Sequence, residues 1–331
     1  MQKNIDLFAR QSIVVVGDVF LDEYLIGRAE RLSREAPIPV LEFDRRRQVP
    51  GGGANPGMNI AALGAHVTQI GVIGDDAEGV ALRTVLTAAG VDAAGLIVDA
   101  SRPTAVKTRI VAEGELRFPQ QLARVDRQSR EPLFDPIRAQ LAAALIRSVQ
   151  TTDAKAILFS DYRAGLIDES LVAVARTLAQ GRKLLLAADT QGDLETYRGF
   201  GLVKCNRAEA EGYVGKPLAD EADVGQALAE LTARLDFDAM LITRGARGLS
   251  LGLQNKGTVH LPATNVSEVY DVTGAGDTVI AVATLALASG ADPLTAATLA
   301  NYAGGIVVRR WGNATVTRDE LNDEIAKQKS G

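Results

Sequence analysis

The sequence predicts an α/β fold, in which a mainly parallel, doubly wound sheet is flanked by helices and accompanied by a small β-sheet. Three observations indicate it. Residues 13–17 are a short β-branched apolar run that ends in glycine, as in a buried central strand. From Phe134 onward, apolar strands alternate with helices, which is typical of βαβ units. Segments 27–47 and 104–126 contain prolines or alternate in polarity, as strands at a sheet edge do.

The remaining elements follow from apolar periodicity and from glycine or proline at the segment ends. The predicted strands beyond residue 17 span residues 67–73, 104–111, 122–126, 156–160, 183–189, 201–205, 239–243, 248–252 and 257–261. The predicted helices span residues 56–63, 76–89, 134–149, 168–180, 221–235, 277–289 and 293–309. We find no linker or repeat, so residues 1–331 are expected to form a single domain.

Composition excludes several classes of function. The chain has 331 residues, is 47% hydrophobic and carries a net charge of −5. A nucleic-acid or anionic-membrane partner needs a basic surface, so we expect neither. Residues 1–11 lack the apolar core of a signal peptide, and no apolar run reaches the roughly 18 residues of a membrane span. The single cysteine, Cys205, allows no intramolecular disulfide, and we expect a cytoplasmic protein.

Residues 271–277 contain the strongest functional motif. Gly274, Ala275 and Gly276 lie between Asp271 and Asp277, and an apolar run with helical spacing follows. The first amides of a helix lack intrahelical partners, and together with the helix dipole they bind anions such as phosphate. Beside such a phosphate, the carboxylate of Asp277 could take a proton from an attacking hydroxyl.

Other candidates each have a structural alternative. Asp18 follows the first strand, at the end of the sheet where ligands bind, but it equally fits a turn cap. Asn206 and Glu209 have the spacing of a helix cap as well as that of metal or phosphate ligands. The glycines at 51–53 and at 245–248 either allow a ligand to approach the backbone or simply form turns.

Two segments resemble signatures of the PfkB/ribokinase family of sugar kinases. They are residues 50–64, with the sequence PGGGANPGMNIAALG, and residues 271–277, with the sequence DVTGAGD. The resemblance covers roughly residues 13–321. It implies a ribokinase-like fold with a lid over the sugar, formed here by segments of about 19–47 and 104–126. It further implies transfer of the γ-phosphoryl group of ATP to a sugar hydroxyl, with Mg²⁺ as cofactor, and a homodimer that pairs through the lid.

The resemblance also implies roles for individual residues. Asp277 would be the base, and the amides of Gly274, Ala275 and Gly276 would stabilise the transferred group. On the sugar side it implies Asp18, Gly52, Gly53 and Asn55. On the nucleotide side it implies Asn206, Arg207, Ala208, Glu209, Thr243, Gly245 and Asn301. Asn206 and Glu209 would also hold Mg²⁺ through water, and Asp271 either supports a monovalent cation, which makes K⁺ a candidate activator, or caps a turn.

Within this family, residues 32–40, 106–109 and 120–126 resemble bacterial heptose-7-phosphate kinases, which act on the anomeric hydroxyl in lipopolysaccharide-precursor synthesis. A substrate that already carries a phosphate needs cations. Lys107, Arg109 and Arg124 could supply them, or they are solvated charges of the lid. Two alternatives remain open. One is a kinase for another sugar or sugar phosphate, and the other is a non-catalytic protein that binds sugar or nucleotide.

Overall fold

The computed structural model describes residues 1–114, 117–264, 269 and 271–330. Its strands, in chain order, are β1 (Ser12–Gly17), β2 (Val19–Leu32), β3 (Pro39–Gly52), β4 (His66–Ile73), β5 (Asp92–Val98), β6 (Val106–Gly114), β7 (Arg117–Arg127), β8 (Ala156–Asp161), β9 (Leu185–Thr190), β10 (Leu202–Asn206), β11 (Ala239–Thr243), β12 (Leu249–Leu253) and β13 (Gly257–Leu261). Its helices are α1 (Gln2–Asp6), α2 (Asn55–Ala62), α3 (Ala77–Ala88), α4 (Asp135–Thr151), α5 (Glu169–Ala179), α6 (Arg207–Val214), α7 (Glu221–Leu235), α8 (Ala275–Ala288), α9 (Pro293–Val307) and α10 (Arg318–Ser330).

The main sheet has the strand order β13-β12-β11-β10-β9-β8-β1-β4-β5. All neighbours pair in parallel except β11 with β12 and β12 with β13. The first strand lies inside the sheet, since Val14 pairs with Thr68 of β4 on one side and with Ile157 of β8 on the other. The carboxyl ends of the parallel strands therefore meet at one edge, where ligands bind in such sheets.

Each face of the main sheet packs against its own layer of helices. In β1, Ile13 and Val15 belong to one hydrophobic core, and Val14 and Val16 belong to the other. The first core includes residues of α2, α3, α8, α9 and α10, and the second includes residues of α4, α5, α6 and α7. Because both faces are covered, the strands are apolar throughout rather than alternating. The predicted doubly wound α/β class is confirmed.

The second sheet, which we call the lid sheet, has the order β3-β2-β6-β7. The sequence predicted only short strands near residues 27–47, and this was wrong, because β2 and β3 have 14 residues each. Prolines do not break these strands. Pro39 is the first residue of β3, and β3 lies at the edge of the sheet, so the N–H groups on its outer side have no strand of the described chain to pair with. Glu115 and Leu116 of the predicted lid segment lie outside the described residues.

The lid sheet has two unlike faces. Tyr24, Ile26 and Val111 are buried and form a small core with Trp311. The cross-strand registers place Leu25, Ile110, Phe43 and Val125 on the opposite face. There Phe43 is 65% exposed and Val125 is 58% exposed.

The predicted ranges left out α1, β5, α6 and α10, and of these only the start of α6 was indicated, by the cap spacing of Asn206 and Glu209. The strand β5 lies at the edge of the main sheet and begins with Asp-Ala-Ala-Gly, which has little β-propensity. The helix α10 is strongly polar, with Glu, Asp, Lys and Gln over most of its length, so it shows little apolar periodicity. Within the part of the chain that the structure describes, no helix combines the length and the apolar character that crossing a bilayer requires.

Candidate active site

The first turn of α8 forms the centre of the site. Gly274 is its N-cap residue and has a φ of 75°, in the left-handed region. A Cβ atom at this position would lie 2.5 Å from Nδ2 of Asn55, so only glycine fits. The amide of Ala275 donates to the carbonyl of Val272 at 3.2 Å, whereas among the described residues the amide of Gly276 makes no backbone hydrogen bond. The Gly276 amide is therefore better placed than that of Ala275 to bind an anion.

Asp277 lies on the same turn and is only 5% exposed. The hydroxyl of Tyr162 donates to both carboxylate oxygens, at 2.8 and 3.0 Å, and Nδ2 of Asn55 donates to Oδ2 at 2.9 Å. Burial raises the pKa of Asp277 to about 6, while the hydrogen bonds from Asn55 and Tyr162 oppose that rise. The carboxylate is consequently ionised at neutral pH and more basic than an exposed aspartate.

Two cavities meet at this turn. The larger, of about 630 Å³, has a mostly apolar lining that includes Val279 and Val308, and its size is typical of small-molecule sites. The smaller, of about 160 Å³, contains Asp277 and Tyr162. The two cavities share three lining residues, namely Lys204, Asn206 and Gly276. A ligand in the larger cavity could therefore place one end beside Asp277.

Of the residues predicted for the nucleotide side, some line the larger cavity and others do not. Asn206, Thr243, Gly245 and Asn301 line the larger cavity, and Nδ2 of Asn301 donates to the carbonyl of Pro262 at 2.8 Å.

Arg207 and Ala208 are absent from the lining of both cavities. Arg207 lies 3.6 Å from Glu211, one helical turn away, and Ala208 is exposed. Their predicted contacts with the nucleotide stay predictions.

Asn206 and Glu209 form a capping box at the start of α6. The side-chain oxygen of Asn206 accepts from the Glu209 amide at 2.9 Å, and Glu209 accepts from the Asn206 amide at 2.6 Å. The structural alternative is thus present, yet both side chains also line the smaller cavity. Among the described residues, no cluster of three or more His, Cys, Asp or Glu could hold a metal directly. One carboxylate and one amide suit Mg²⁺ that keeps most of its waters.

Asp271 caps the turn that leads into α8. Its Oδ1 accepts from the amide of Thr273 at 2.9 Å, and its Oδ2 accepts from the amide of Gly312 at 2.8 Å. These bonds join the turn to the segment after α9. The turn-capping role is present, and support of a monovalent cation stays a prediction.

Asp18 is buried, and its carboxylate is taken up by the protein backbone. It accepts from the amides of Tyr162 and Ala164 at 3.0 Å each and from that of Leu166 at 3.3 Å. Burial, despite these bonds, raises the pKa of Asp18 to about 6. This geometry makes Asp18 a residue that positions the loop of Tyr162, and its predicted contact with substrate stays a prediction.

Asp22, at the start of β2, was not among the predicted site residues, but polar partners surround it. Its Oδ1 accepts from Nη1 of Arg109 and its Oδ2 accepts from Nδ2 of Asn313, both at 2.6 Å. Oδ1 of Asn313 would in turn lie 3.0 Å from a Cβ atom at Gly274. Asp22 is thereby connected to the turn at the start of α8. No motif in the sequence joins these positions, because Asp22 and Asn313 are 291 residues apart.

The predicted glycines at 52 and 53 are required by packing. A Cβ atom on Gly53 would lie 2.6 Å from the backbone nitrogen of Asp18, and Gly52 has a φ of 54°. Asn55 follows them and is 1% exposed, with its amide directed to Asp277. The turn therefore brings Asn55 to the carboxylate of Asp277. Contacts of these three residues with a sugar stay predictions.

The three predicted lid cations differ in their surroundings. Arg109 pairs with Asp22 at 2.6 Å, and Arg124 pairs with Asp126 at 2.8 Å in an exposed position. Lys107 instead places Nζ 4.0 Å from the centre of the Phe20 ring and 5.3 Å from that of Tyr162. Burial lowers the pKa of Lys107. Lys107 therefore lies against the ring of Tyr162, whose hydroxyl donates to Asp277.

The sequence of this chain is similar to those of known carbohydrate kinases. A family profile described as pfkB family carbohydrate kinase matches residues 10–319. The bifunctional protein HldE of Geobacter metallireducens is 41% identical over 334 residues, covering 99% of this chain and 66% of that protein. HldE of Pseudomonas aeruginosa is 40% identical over 331 residues, with the same two coverages. The chain thus spans about two thirds of the length of these relatives.

Solved structures share the fold at low identity. Phosphofructokinase-2 from Escherichia coli, in complex with potassium, superposes with a TM-score of 0.77 at 19% identity, over 96% of this chain and 99% of that one. Ribokinase from Arabidopsis thaliana, complexed with ribose and ATP, gives a TM-score of 0.70 at 17% identity, over 95% and 98%. The fold is therefore ribokinase-like, as the resemblance implied.

Proposed function

We propose that this chain, which belongs to the pfkB family of carbohydrate kinases, transfers the γ-phosphoryl group of ATP to a hydroxyl of a phosphorylated sugar. One observation carries the proposal. A cavity of about 630 Å³ and a smaller one meet at the first turn of α8, and Asp277 lies in the smaller one. The larger cavity accepts the nucleotide, and the smaller one accepts the sugar hydroxyl.

Asp277 acts as the general base in this proposal. A carboxylate offers about four acceptor positions, and Tyr162 and Asn55 occupy only some of them. The acceptor hydroxyl donates to a remaining position and loses its proton to Asp277 as its oxygen attacks the γ-phosphorus. Tyr162 and Asn55 hold the carboxylate in place, so that little reorganisation is needed during the step.

Charge on the transferred group is stabilised by the start of α8. Gly276 lines both cavities at the first turn of α8, so its amide and the positive end of the helix dipole lie at their junction. Asn206 and Glu209 would hold Mg²⁺ through its water shell, and Mg²⁺ supplies charge neutralisation for the phosphates of the nucleotide. Asp271 supports a monovalent cation behind the turn, with K⁺ as the candidate.

For the acceptor we propose heptose 7-phosphate, phosphorylated at its anomeric hydroxyl. The identity of about 40% to HldE over 99% of the chain supports this choice, as do the lid segments that resemble heptose-7-phosphate kinases. Lys107 is the cation for the existing phosphate, because Arg109 and Arg124 already pair with carboxylates. Substrate phosphate would draw Lys107 away from the aromatic rings of Phe20 and Tyr162.

The test is a kinase assay against heptose 7-phosphate, heptose, and a panel of hexoses, pentoses and their phosphates, with identification of each product. We expect turnover with heptose 7-phosphate and a much higher KM for unphosphorylated heptose. The variant K107M should raise KM for the phosphorylated sugar about tenfold or more, since a charge-assisted hydrogen bond is lost. It should leave KM for unphosphorylated heptose nearly unchanged. R45M, which removes an exposed lid arginine that pairs with Asp44 and Glu113, is the matched control.

Other outcomes distinguish the alternatives. Turnover of another sugar at the expense of heptose 7-phosphate would replace the acceptor but keep the kinase. Tight binding of sugar and nucleotide without product from any member of the panel would favour a non-catalytic binding protein. A tenfold effect of K107M on both forms of heptose would contradict the assignment of Lys107 to the substrate phosphate.

A further inference from the structure

Lys204 is a charged residue inside a buried strand, two positions before Asn206. It belongs to β10 of the main sheet, and its side chain is 7% exposed. Its Nζ donates to both carboxylate oxygens of Asp189 at 2.9 Å, and the Asp189 side chain is 11% exposed. Burial of an ion pair is costly and is weak support for stability by itself, so its position in the molecule calls for an explanation.

The ammonium of Lys204 lies where the two cavities meet. Lys204 lines both of them. A Cβ atom on Gly276 would be only 2.7 Å from Nζ, so the lysine is against the first turn of α8. Burial disfavours the charge, but the carboxylate of Asp189 outweighs it and raises the pKa of Lys204. The chain therefore holds a permanent positive charge beside the amides that start α8.

We propose that Lys204 is a catalytic residue that binds the transferring phosphoryl group, and that Asp189 is the residue that positions it. This rests on the proposed kinase function. An ammonium has three N–H groups, of which the two bonds to Asp189 use two. The third is available to an oxygen of the γ-phosphoryl group. Charge spreads over these oxygens in the transition state, and a fixed cation in a water-poor site stabilises it strongly.

Lys204 undergoes no net chemical change during the phosphoryl transfer. A bond forms between the acceptor oxygen and the γ-phosphorus, and the bond from that phosphorus to the β,γ-bridging oxygen breaks. The acceptor proton goes to Asp277, and the bridging oxygen leaves on ADP. Lys204 keeps its proton throughout, because its pKa is raised rather than lowered.

A competing explanation is that Lys204 only neutralises Asp189, which would otherwise be a buried unpaired charge. Two variants separate the two roles, namely K204M and the double variant K204M/D189N, which removes both charges together. We expect K204M to lower kcat about 100- to 1,000-fold, as for the loss of one transition-state donor. The double variant should be equally slow, because the phosphoryl group still lacks its cation. K155M, which removes an exposed lysine paired with Asp153, serves as control.

A second readout does not depend on turnover. Calorimetric titration with ATP and with ADP measures whether Lys204 contacts the γ-phosphoryl group. We expect K204M and K204M/D189N to weaken ATP about tenfold more than ADP, and K155M to weaken neither. This binding measurement still tests the role of Lys204 if the wild-type protein phosphorylates none of the tested sugars. That outcome would contradict the proposed acceptor but not the role of Lys204.

Restoration of wild-type kcat in K204M/D189N would overturn the proposal in favour of charge neutralisation. So would equal losses of ATP and ADP affinity in a folded variant. An unpaired buried Asp189 could prevent K204M from folding. In that case kcat and the affinities for ATP and ADP are measured on the double variant. Thermal unfolding verifies that the double variant is folded.

Discussion

Asp277 illustrates how a single residue acquires its chemistry from its surroundings. Aspartate normally has a pKa near 4 and is a poor base. Here burial at 5% exposure raises the pKa of Asp277 to about 6, and two donors fix its orientation. A catalytic base is most effective when its pKa lies near the working pH. The environment, more than the residue type, makes this carboxylate suitable.

We expect D277N to lower kcat by at least roughly 100- to 10,000-fold, which is the contribution of a well-placed general base. Binding of ATP should be nearly unchanged, because the larger cavity does not include this side chain. Steady-state kinetics together with calorimetric titration of ATP would test both halves. Wild-type turnover in this variant would remove Asp277 from the mechanism.

The activity should also depend on pH through Asp277. The base must be ionised, so kcat/KM should fall as the pH drops below about 6, the pKa of Asp277 in the free enzyme. Y162F removes a hydrogen bond that lowers this pKa, so the acid limb should move to higher pH. Asp18 also has a pKa of about 6, but it contacts the backbone amide of Tyr162, which the substitution keeps. An acid limb that does not move in Y162F would identify a different titrating group.

At the scale of single residues, the sequence predicted features that depend on residues close together in the chain. Gly274 and Asp277 lie within one short motif, so the helix start and the adjacent carboxylate could be inferred from spacing. Tyr162, Asp22 and Lys204 reach the site through tertiary packing. Asp22 and Lys204 lie near the candidates Asp18 and Asn206 in sequence, but this spacing does not indicate which atoms they contact. A lysine such as Lys204 in an apolar strand resembles a partly exposed edge residue until its partner Asp189 is known.

The helix α8 is the element on which the site depends. Its N-cap glycine brings the first turn against Asn55, and its apolar length is buried between the sheet and α9. Residues 278–286 are all buried, so the helix is held rigidly. A rigid support matters, because a displacement of about 1 Å at a catalytic group can cost on the order of 100-fold in rate.

G274A should therefore impair both stability and activity. A residue with a Cβ atom pays about 1 to 2 kcal/mol in the left-handed conformation, and the added atom would lie 2.5 Å from Nδ2 of Asn55. Because Asn55 holds Asp277, we expect kcat to fall more than the modest loss of stability explains. Thermal unfolding and kinetics on the same preparation would show it. G290A, at a left-handed glycine after α8 with open space around it, is the control for strain alone.

The lid sheet was the element predicted least well. Its prolines and its charged run suggested interrupted strands, whereas tertiary pairing along β2 makes continuous ones. Thirteen residues of β2 have partners in β3 despite two irregularities in register. Pairing of this kind joins strands by contacts that local propensity does not encode. The prediction that the whole chain is one domain, with the lid inserted, stays a prediction.

On the scale of the whole molecule, the outer face of the lid sheet predicts assembly. Phe43 and Val125 are more than half exposed on the face opposite the small core. Large apolar residues grouped on one exposed sheet face favour association with another surface. We propose that a second copy of the chain covers this face, as the resemblance implied.

The variant F43D/V125D should be monomeric where the wild-type protein is dimeric, because two charges would be buried without partners. Light scattering after size-exclusion chromatography measures the mass of each. V80D, which introduces the same charge at an exposed valine of α3, is the control. A monomeric wild-type protein, or a dimer that survives both substitutions, would exclude this interface.

The bond from Asn55 to Asp277 spans 222 positions, and that from Asn313 to Asp22 spans 291. A growing polypeptide acquires Asp22 early and Asn313 only 291 positions later. At about 5 to 20 residues per second, the interval between Asp22 and Asn313 is on the order of 15 to 60 seconds. Throughout that time the contact between Asp22 and Asn313 cannot form, so this part of the site is assembled only after residue 313 has been synthesised.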